Sequence, residues 1–472
     1  MTIVIFNSER VSNAWQLMLS GYARHLYGLK TQSLLGIVAS TLLLLLTHSD
    51  SVISADIFAE ATAGRNRLIT QEYFGTHFHR LELNSHEKAV RTQWPALKFG
   101  VVRFWDAGVS WADVAPKPGQ WNFDRLDTYV HAAQTHDASM LYTLGSTPRW
   151  ASARPDERCP YGFGCSAEPV RLAHWEEYVR RVTQRYRGMI GAYELWNEPY
   201  FSDLAHDRAQ SGAFFTGSIA NMVEMARIAR QVLDETSPGT LLTTPGFVGE
   251  PERLDLFLGA GGKAYVQAVS YHFYSNDADK FVRRILGVRA VMRRHGIENL
   301  PLWNTEQGIE GDLEDGSRRA GLSERFTRKE AAARMAQFLV LGAAVGLERF
   351  YYYAWDNERS GMVTTRGERL PAYEAMARIQ DWLIGSRMQG CASSKQGVVN
   401  CRIESGKNSA LIAWADQLGE QSLKLPDGMK VSGVTTLLSS MSVPAYRVQN
   451  GFVKISLGAE PVRITLDRQG QP

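Results

Sequence analysis

At 472 residues, with 44% hydrophobic and 21% charged side chains, the chain has material for a large folded core, which excludes a disordered or fibrous polymer. Its 52 basic and 49 acidic residues nearly cancel to a formal charge of +3, so nothing marks a nucleic-acid-tracking surface and no nucleic-acid partner is expected. The four cysteines fall in two close pairs, Cys159 with Cys165 and Cys391 with Cys401. Neither pair has the spacing of a C-x-x-C zinc or redox motif, so two disulfides in an oxidising compartment are expected.

In chain order, the first feature is the apolar run Leu34 to Leu46, which ends in five consecutive leucines and is preceded by Arg24 and Lys30. It matches the apolar centre of an export signal better than the ~20 residues of a membrane span, although weakly polar flanks could extend it to an anchor. Residues 1–63 are therefore expected to be an export signal or membrane anchor with its linker. Cleavage sites are available after Ala55 and after the alternating Ala59, Ala61 and Ala63, and Met18 offers a more ordinary start for such a signal than Met1. The expected location is the periplasm, free or anchored to the inner membrane.

From Tyr73 onward, short apolar runs alternate with longer helical patterns, the signature of βα units and a parallel sheet. The strand candidates are YFGTHF from Tyr73, GVVRFW from Gly100, SMLYTL from Ser139, AYELWN from Ala192, TLLTTP from Thr240, AVSYHFY from Ala268, LPLWNTE from Leu300 and RFYYYAW from Arg349. Eight is the number that closes a barrel. The intervening segments FDRLDTYVHAAQTH, LAHWEEYVRRVTQRY, ANMVEMARIARQVLDE and FVRRILGVRAVMRRH repeat apolar residues at three- and four-residue steps. Thr327 with Glu330 reads as a capping box ahead of AAARMAQFLVLGAAV, and Pro371 suits the first turn of AYEAMARIQDWLI. The expected class is α/β, a (β/α)8 TIM barrel over residues 64–387. After Arg387 the pattern changes to period-two runs such as GVVNCRIES, SALIAWAD, SLKLP and FVKISL, which predict a small all-β sandwich over residues 388–472.

Reactive side chains of such a barrel sit at the carboxyl ends of its strands. The fourth candidate strand ends in Trp196, Asn197, Glu198 and Pro199, and the seventh in Trp303, Asn304, Thr305 and Glu306. Glycosidic-bond hydrolysis needs one carboxylic acid to protonate the leaving oxygen and one carboxylate to attack or to activate water, and two facing glutamates meet that need. Twelve Trp and eighteen Tyr leave two uses open, core packing and sugar stacking.

W-N-E-P closing a fourth strand and W-N-T-E-Q-G closing a seventh resemble clan A glycoside hydrolases along the whole barrel. The resemblance implies a retaining enzyme with Glu198 as general acid/base and Glu306 as nucleophile, acting without cofactor or metal on a carbohydrate. It implies that Arg103 hydrogen-bonds the nucleophile and holds it ionised, that Asn197 binds a sugar 2-hydroxyl, and that Trp355 forms the floor of the −1 subsite. His272 and Tyr274, two apart on strand six, face one side, and one of them is expected to orient the nucleophile. Trp105, Trp111, Trp150 and Tyr200 follow strand ends and are candidates for further subsites or for packing. His77 and His79 are expected to bind sugar hydroxyls. The layout H-x-H, V-R-F-W, T-P-x-W and Y-H-F-Y is most similar to family 39, and among its members to envelope glycosidases linked to exopolysaccharide synthesis.

Two other readings are weighed. H-x-H on a first barrel strand also opens the metal site of amidohydrolases, and Asp356 would fit it, but strand four lacks the bridging lysine and strand five a histidine. A non-catalytic carbohydrate-binding barrel would keep the aromatics without requiring both glutamates. Oligomeric state, the sugar at the −1 subsite and the role of the acidic and arginine-bearing stretch from Gly308 to Ser323 are left open.

Overall fold

All eight expected strands form, and they run parallel: β1 (Phe74–His77), β2 (Val101–Phe104), β3 (Ser139–Thr143), β4 (Ala192–Glu194), β5 (Leu241–Thr243), β6 (Val269–His272), β7 (Leu302–Gln307) and β8 (Arg349–Tyr352). The computed structural model describes residues 57–468 apart from 82–91, 209, 211, 312–325, 358, 365, 395 and 407. The apolar segment at 34–46 and most of the 308–323 stretch lie outside the described residues. Among the described residues, no helix is long and apolar enough to cross a membrane.

Register shows how the sheet closes. Thr76 of β1 pairs with Val102 of β2 and with Tyr352 of β8, and Tyr193 of β4 pairs with Tyr142 of β3 and Leu242 of β5. A parallel bridge between Thr243 and Ala268 joins β5 to the approach of β6 and completes the ring. The helices α2 (Asp124–Thr135), α3 (Leu172–Arg185), α4 (Ile219–Thr236), α5 (Glu252–Gly259), α6 (Ala278–Arg294), α7 (Arg328–Ala344) and α8 (Pro371–Leu383) follow β2 to β8, one after each; α1 (Ile57–Thr62) precedes the barrel. In α3 the buried side chains are Trp175, Tyr178, Val179 and Val182, a single stripe at helical spacing turned to the sheet. Thr327 and Glu330 cap α7 reciprocally, at 2.7 and 3.2 Å, and Pro371 opens α8, both as expected.

Strand parity divides the barrel. Val102, Phe104, Met140, Tyr142, Tyr193, Tyr271, Phe350 and Tyr352 point outward into the layer shared with the helices. Val101, Leu141, Ala192, Ala268, Trp303 and Tyr351 point inward and fill the lumen floor. Two residues further along each strand the inward position is occupied by Arg103, Thr143, Glu194 or Ser270, all buried. The lumen therefore passes from apolar floor to polar mouth within one alternation, and the chemistry is confined to the carboxyl end.

The carboxyl-terminal region has a five-stranded antiparallel sheet, in the order β9 (Arg387–Ser393), β10 (Val398–Ser405), β11 (Asn408–Ala415), β16 (Val462–Arg468), β13 (Met429–Thr436). A three-stranded sheet has the order β12 (Gly419–Lys424), β15 (Phe452–Leu457), β14 (Tyr446–Gln449). Alternation explains why β11 is buried on both faces. Leu411, Ala413 and Ala415 pack toward the smaller sheet, whereas Ala410, Ile412 and Trp414 join the core that includes the barrel helices. Helix α1 packs on β9, with Phe58 and Ala61 buried and Thr62 Oγ1 accepting from Cys391 N at 2.9 Å. The barrel thus shares one core with one face of the five-stranded sheet, whose other face packs on the three-stranded sheet in a separate core. Both expected disulfides, Cys159–Cys165 and Cys391–Cys401, are formed.

Candidate active site

The site starts from an irregularity in β7. Asn304 pairs with Tyr271, yet Glu306 pairs with His272, so one extra residue is accommodated between them. Trp303 fills the floor, and strict alternation would aim Thr305 inward and Glu306 outward. The bulge reverses that parity and delivers Glu306 to the lumen, beside the inward-facing His272. Glu198 arrives differently, four residues beyond Glu194, with a positive φ of 38° and its N–H donating to Gly246 O at 2.9 Å. Gly246 is a position of close approach: a Cβ there would lie 2.5 Å from His272 Nε2 and 3.0 Å from Glu194 Oε1.

The two carboxyl groups converge. One oxygen of Glu198, one of Glu306 and a His272 nitrogen all lie within 4.8 Å of one another. Glu306 Oε1 accepts from the Tyr274 hydroxyl at 2.8 Å, and its Oε2 accepts from Arg103 Nη1 at 2.8 Å. His272 Nδ1 lies 2.8 Å from Glu198 Oε1 and 3.9 Å from Glu306 Oε2. Of the two candidates on strand six, Tyr274 thus holds Glu306 and His272 holds Glu198.

Arg103 is fully buried and serves three partners. Besides Glu306 it donates from Nε and Nη2 to Glu194 Oε2 at 2.8 and 2.5 Å, and from Nη2 to Asn197 Oδ1 at 2.8 Å. Thr143 Oγ1 donates to the same Glu194 oxygen at 2.8 Å. One cation is shared by two carboxylates, so Glu306 does not have it to itself. Burial pushes the Glu306 carboxyl above its ordinary value, the Glu198 and Asp106 charges push the same way, and the His272 ring and Arg103 oppose them. Arg103 thus makes the expected contact and favours the Glu306 anion, while burial works against it.

No sequence-family model and no curated protein sequence matches the chain. Solved structures do. A family 39 glycoside hydrolase from the gut symbiont Bacteroides cellulosilyticus superposes with a TM-score of 0.62 at 16% identity over 85% of this chain and 82% of that one. A family 39 enzyme from Xanthomonas axonopodis pv. citri gives 0.52 at 17% identity, over 79% and 88%. A family 30 endoxylanase from Clostridium papyrosolvens gives 0.57 at 14%, over 86% and 98%. The fold is that of these glycoside hydrolases. The TIM barrel with its β domain, implied by the sequence resemblance, is what the comparison shows.

Within this glycoside hydrolase fold, several expected site residues are placed elsewhere. Trp355 does not offer an open ring: it is 5% exposed, with Phe78 and Tyr373 against it at 6.5 and 5.9 Å between ring centres. Tyr353 shares the inward parity of Tyr351 and is half-buried between His77 and His79, its hydroxyl 2.5 Å from Asp106 Oδ2. Of these two rings, Tyr353, two residues before the expected tryptophan, is the more accessible.

His77 is 1% exposed and its Nε2 lies 3.0 Å from Thr305 O, so it braces the β7 bulge and does not reach toward solvent. Burial, with Arg103 adding its charge, holds His77 well below the ordinary imidazole value. His79 lies 3.2 Å from Asp106 and 3.7 Å from Asp356. Burial opposes its protonation, but Asp106, Asp356 and Glu306 outweigh this and raise its pKa. Asp356 is no free ligand, because its oxygens accept from His79 N, Arg80 N and Thr92 Oγ1 at 2.9, 2.7 and 2.9 Å. Among the described residues, the one group of three metal-capable side chains is Glu198, His272 and Glu306, which includes neither His77 nor His79.

Trp150 is tied into the scaffold by an Nε1 bond to Ala115 O at 2.8 Å, and Trp111 is fully buried and stacked on Tyr178. Trp105, 5% exposed, lines a cavity of about 400 Å³ with Asp106, Arg149, Tyr161 and Phe163. Tyr200 is half-buried beneath the Arg253 guanidinium at 4.3 Å. Sequence reasoning missed Glu194, Asp106 and Tyr353. The first and last were detectable from parity, since they fall two residues beyond Ala192 and Tyr351.

Proposed function

We propose that the protein is a retaining glycoside hydrolase that cleaves β-glycosidic bonds of a polysaccharide or oligosaccharide by double displacement. The observation that carries this reading is the approach of Glu198 and Glu306 to within 4.8 Å at the mouth of the barrel, a gap suited to a retaining pair, whose carboxyls stand roughly 5–5.5 Å apart. Glu306, with both oxygens held, attacks the anomeric carbon. Glu198, 20% exposed at its side chain, gives its proton to the departing oxygen and then takes one from the incoming water. Arg103 fixes the Asn197 oxygen, which leaves the amide NH2 as the donor to the sugar 2-hydroxyl. A bacterial exopolysaccharide is the proposed substrate setting, and export to the periplasm or to the inner-membrane surface the proposed location.

The experiment is to incubate the protein with a panel of β-linked polysaccharides and oligosaccharides and follow new reducing ends, beside Glu306→Gln. Hydrolysis by the parent and none by the variant supports the reading. Equal hydrolysis by both removes Glu306 from the mechanism. Sugar affinity in both proteins with turnover in neither selects the non-catalytic binding barrel.

A further inference from the structure

A short hairpin after β3 presents two aromatic rings that the fold does not need for its core. Arg158–Cys159 pair antiparallel with Gly162–Phe163, and Tyr161 and Phe163 are 54% and 55% exposed. Such exposure costs hydration free energy, and here the rings are also rigidly held. The Cys159–Cys165 disulfide closes the hairpin, Gly164 N donates to Glu157 O at 2.7 Å, and Thr147 N donates to Cys165 O at 3.1 Å. Gly162, at φ 137°, takes a backbone conformation that a side chain would strain.

The hairpin faces the catalytic centre. The Tyr161 ring lies 6.1 Å from Trp105 and 6.0 Å from Phe214, and Tyr161, Phe163, Trp105, Asp106 and Arg149 line the 400 Å³ cavity. Trp105 and Asp106 are the second and third residues after Arg103, which holds Glu306. Partial desolvation raises the Tyr161 hydroxyl above its ordinary value, and the Asp106 and Glu306 charges add to it. The hairpin thus stands between the carboxyl end of β2, through Trp105, and the loop after β4, through Phe214, next to Phe215, whose carbonyl accepts from Tyr200 N at 3.1 Å.

We propose that the disulfide-closed hairpin, with Trp105, forms a stacking subsite for an uncharged sugar ring of the substrate chain, outside the residue whose bond is cleaved. This rests on the glycosidase reading above. Asp106 and Asp113 line the cavity, which disfavours a uronate there; Arg149 does not offset them, because it is paired with Asp156 at 2.5 Å. A flat ring face beside a few fixed polar groups is what a pyranose requires, one apolar face and an equatorial rim of hydroxyls. The enzyme would then favour longer substrates over single-sugar ones.

The test compares kcat/KM on p-nitrophenyl glycosides bearing one sugar with kcat/KM on β-linked xylo- and gluco-oligosaccharides of increasing length. The parent gains with chain length. Tyr161→Ala with Phe163→Ala loses about tenfold or more of that gain, mostly through KM, and Tyr161→Trp restores it, since stacking uses the ring and not the hydroxyl. Cys159→Ser with Cys165→Ser gives a smaller loss of the same kind. Equal losses on short and long substrates, no loss, or a gain confined to uronate-containing chains would overturn the subsite. Calorimetry of the same oligosaccharides against Glu306→Gln reads length-dependent affinity independently of turnover. A failed hydrolysis assay therefore sinks the glycosidase reading alone, whereas affinity independent of length, or unaffected by the aromatic substitutions, sinks the subsite.

Discussion

Glu306 and Glu198 face each other across one mouth, yet the protein treats them in opposite ways. Glu306 comes from a strand, has an 11% exposed side chain, and has both oxygens held by Tyr274 and Arg103. Glu198 sits past the end of its strand in a left-handed conformation, is 20% exposed, and touches His272 through one oxygen. A nucleophile gains from a fixed attack line, because every ångström of drift costs rate. A proton shuttle must exchange protons with solvent and serve two different oxygens in turn. The difference in restraint matches the difference in the tasks proposed for them.

The sharpest way to break that comparison is to remove the nucleophile. Glu306→Gln should lower kcat by about 10⁴-fold or more on every substrate, since no neighbouring anion can form the glycosyl bond. Its melting temperature at pH 7 should rise. The folded state raises the Glu306 pKa above the unfolded value, so the contribution of this group is greatest at low pH and is lost as pH rises through the folded pKa. Replacing it with a neutral amide removes that loss. A lower melting temperature would mean that the Arg103 contact outweighs desolvation.

Glu198→Gln should act selectively. On substrates with ordinary sugar leaving groups, kcat/KM should drop by about 10²–10⁴-fold, and far less with activated aryl leaving groups that depart without a proton. Equal losses on both classes would contradict the acid/base assignment.

A third test sharpens the shared-cation argument. The acid limb of kcat/KM should lie above the ordinary glutamate value, because Glu306 must be ionised to attack and its pKa is raised by burial. Arg103→Lys, which cannot serve Glu194, Asn197 and Glu306 together, should move that limb further up. Glu194→Gln should move it down, because the guanidinium then has one fewer anion to satisfy. Identical limbs in all three proteins would show that Arg103 does not tune Glu306. The smallest effect is expected for Tyr274→Phe: about tenfold in kcat, with a small upward movement of the limb, from loss of one hydrogen bond to a charged oxygen.

These predictions rest on features of unequal visibility in the sequence. The eight strands, the helices, the cap at Thr327 and the change to a β domain follow from periodicity and capping chemistry, which are local. Glu198 and Glu306 follow from a motif resemblance at strand ends. Trp355 is buried because the chain leaves the strand after Tyr352, and the inward parity of Tyr351 passes to Tyr353. The β7 bulge, which turns Glu306 inward, leaves no compositional mark. The partition of Arg103 between Glu194 and Glu306 depends on three strands meeting in register, a long-range property that single-strand patterns do not carry. The shared core of α1, the barrel and β9 to β11 is likewise a tertiary outcome of sequence-distant segments.

The most direct measurement is the anomeric configuration of the first-formed product, followed by proton NMR before mutarotation sets in. Retention of the β configuration is expected, because Glu306 attacks once and water attacks the resulting glycosyl ester once. A product that appears first as the α anomer would mean a single displacement by water, and Glu306 would not be the nucleophile.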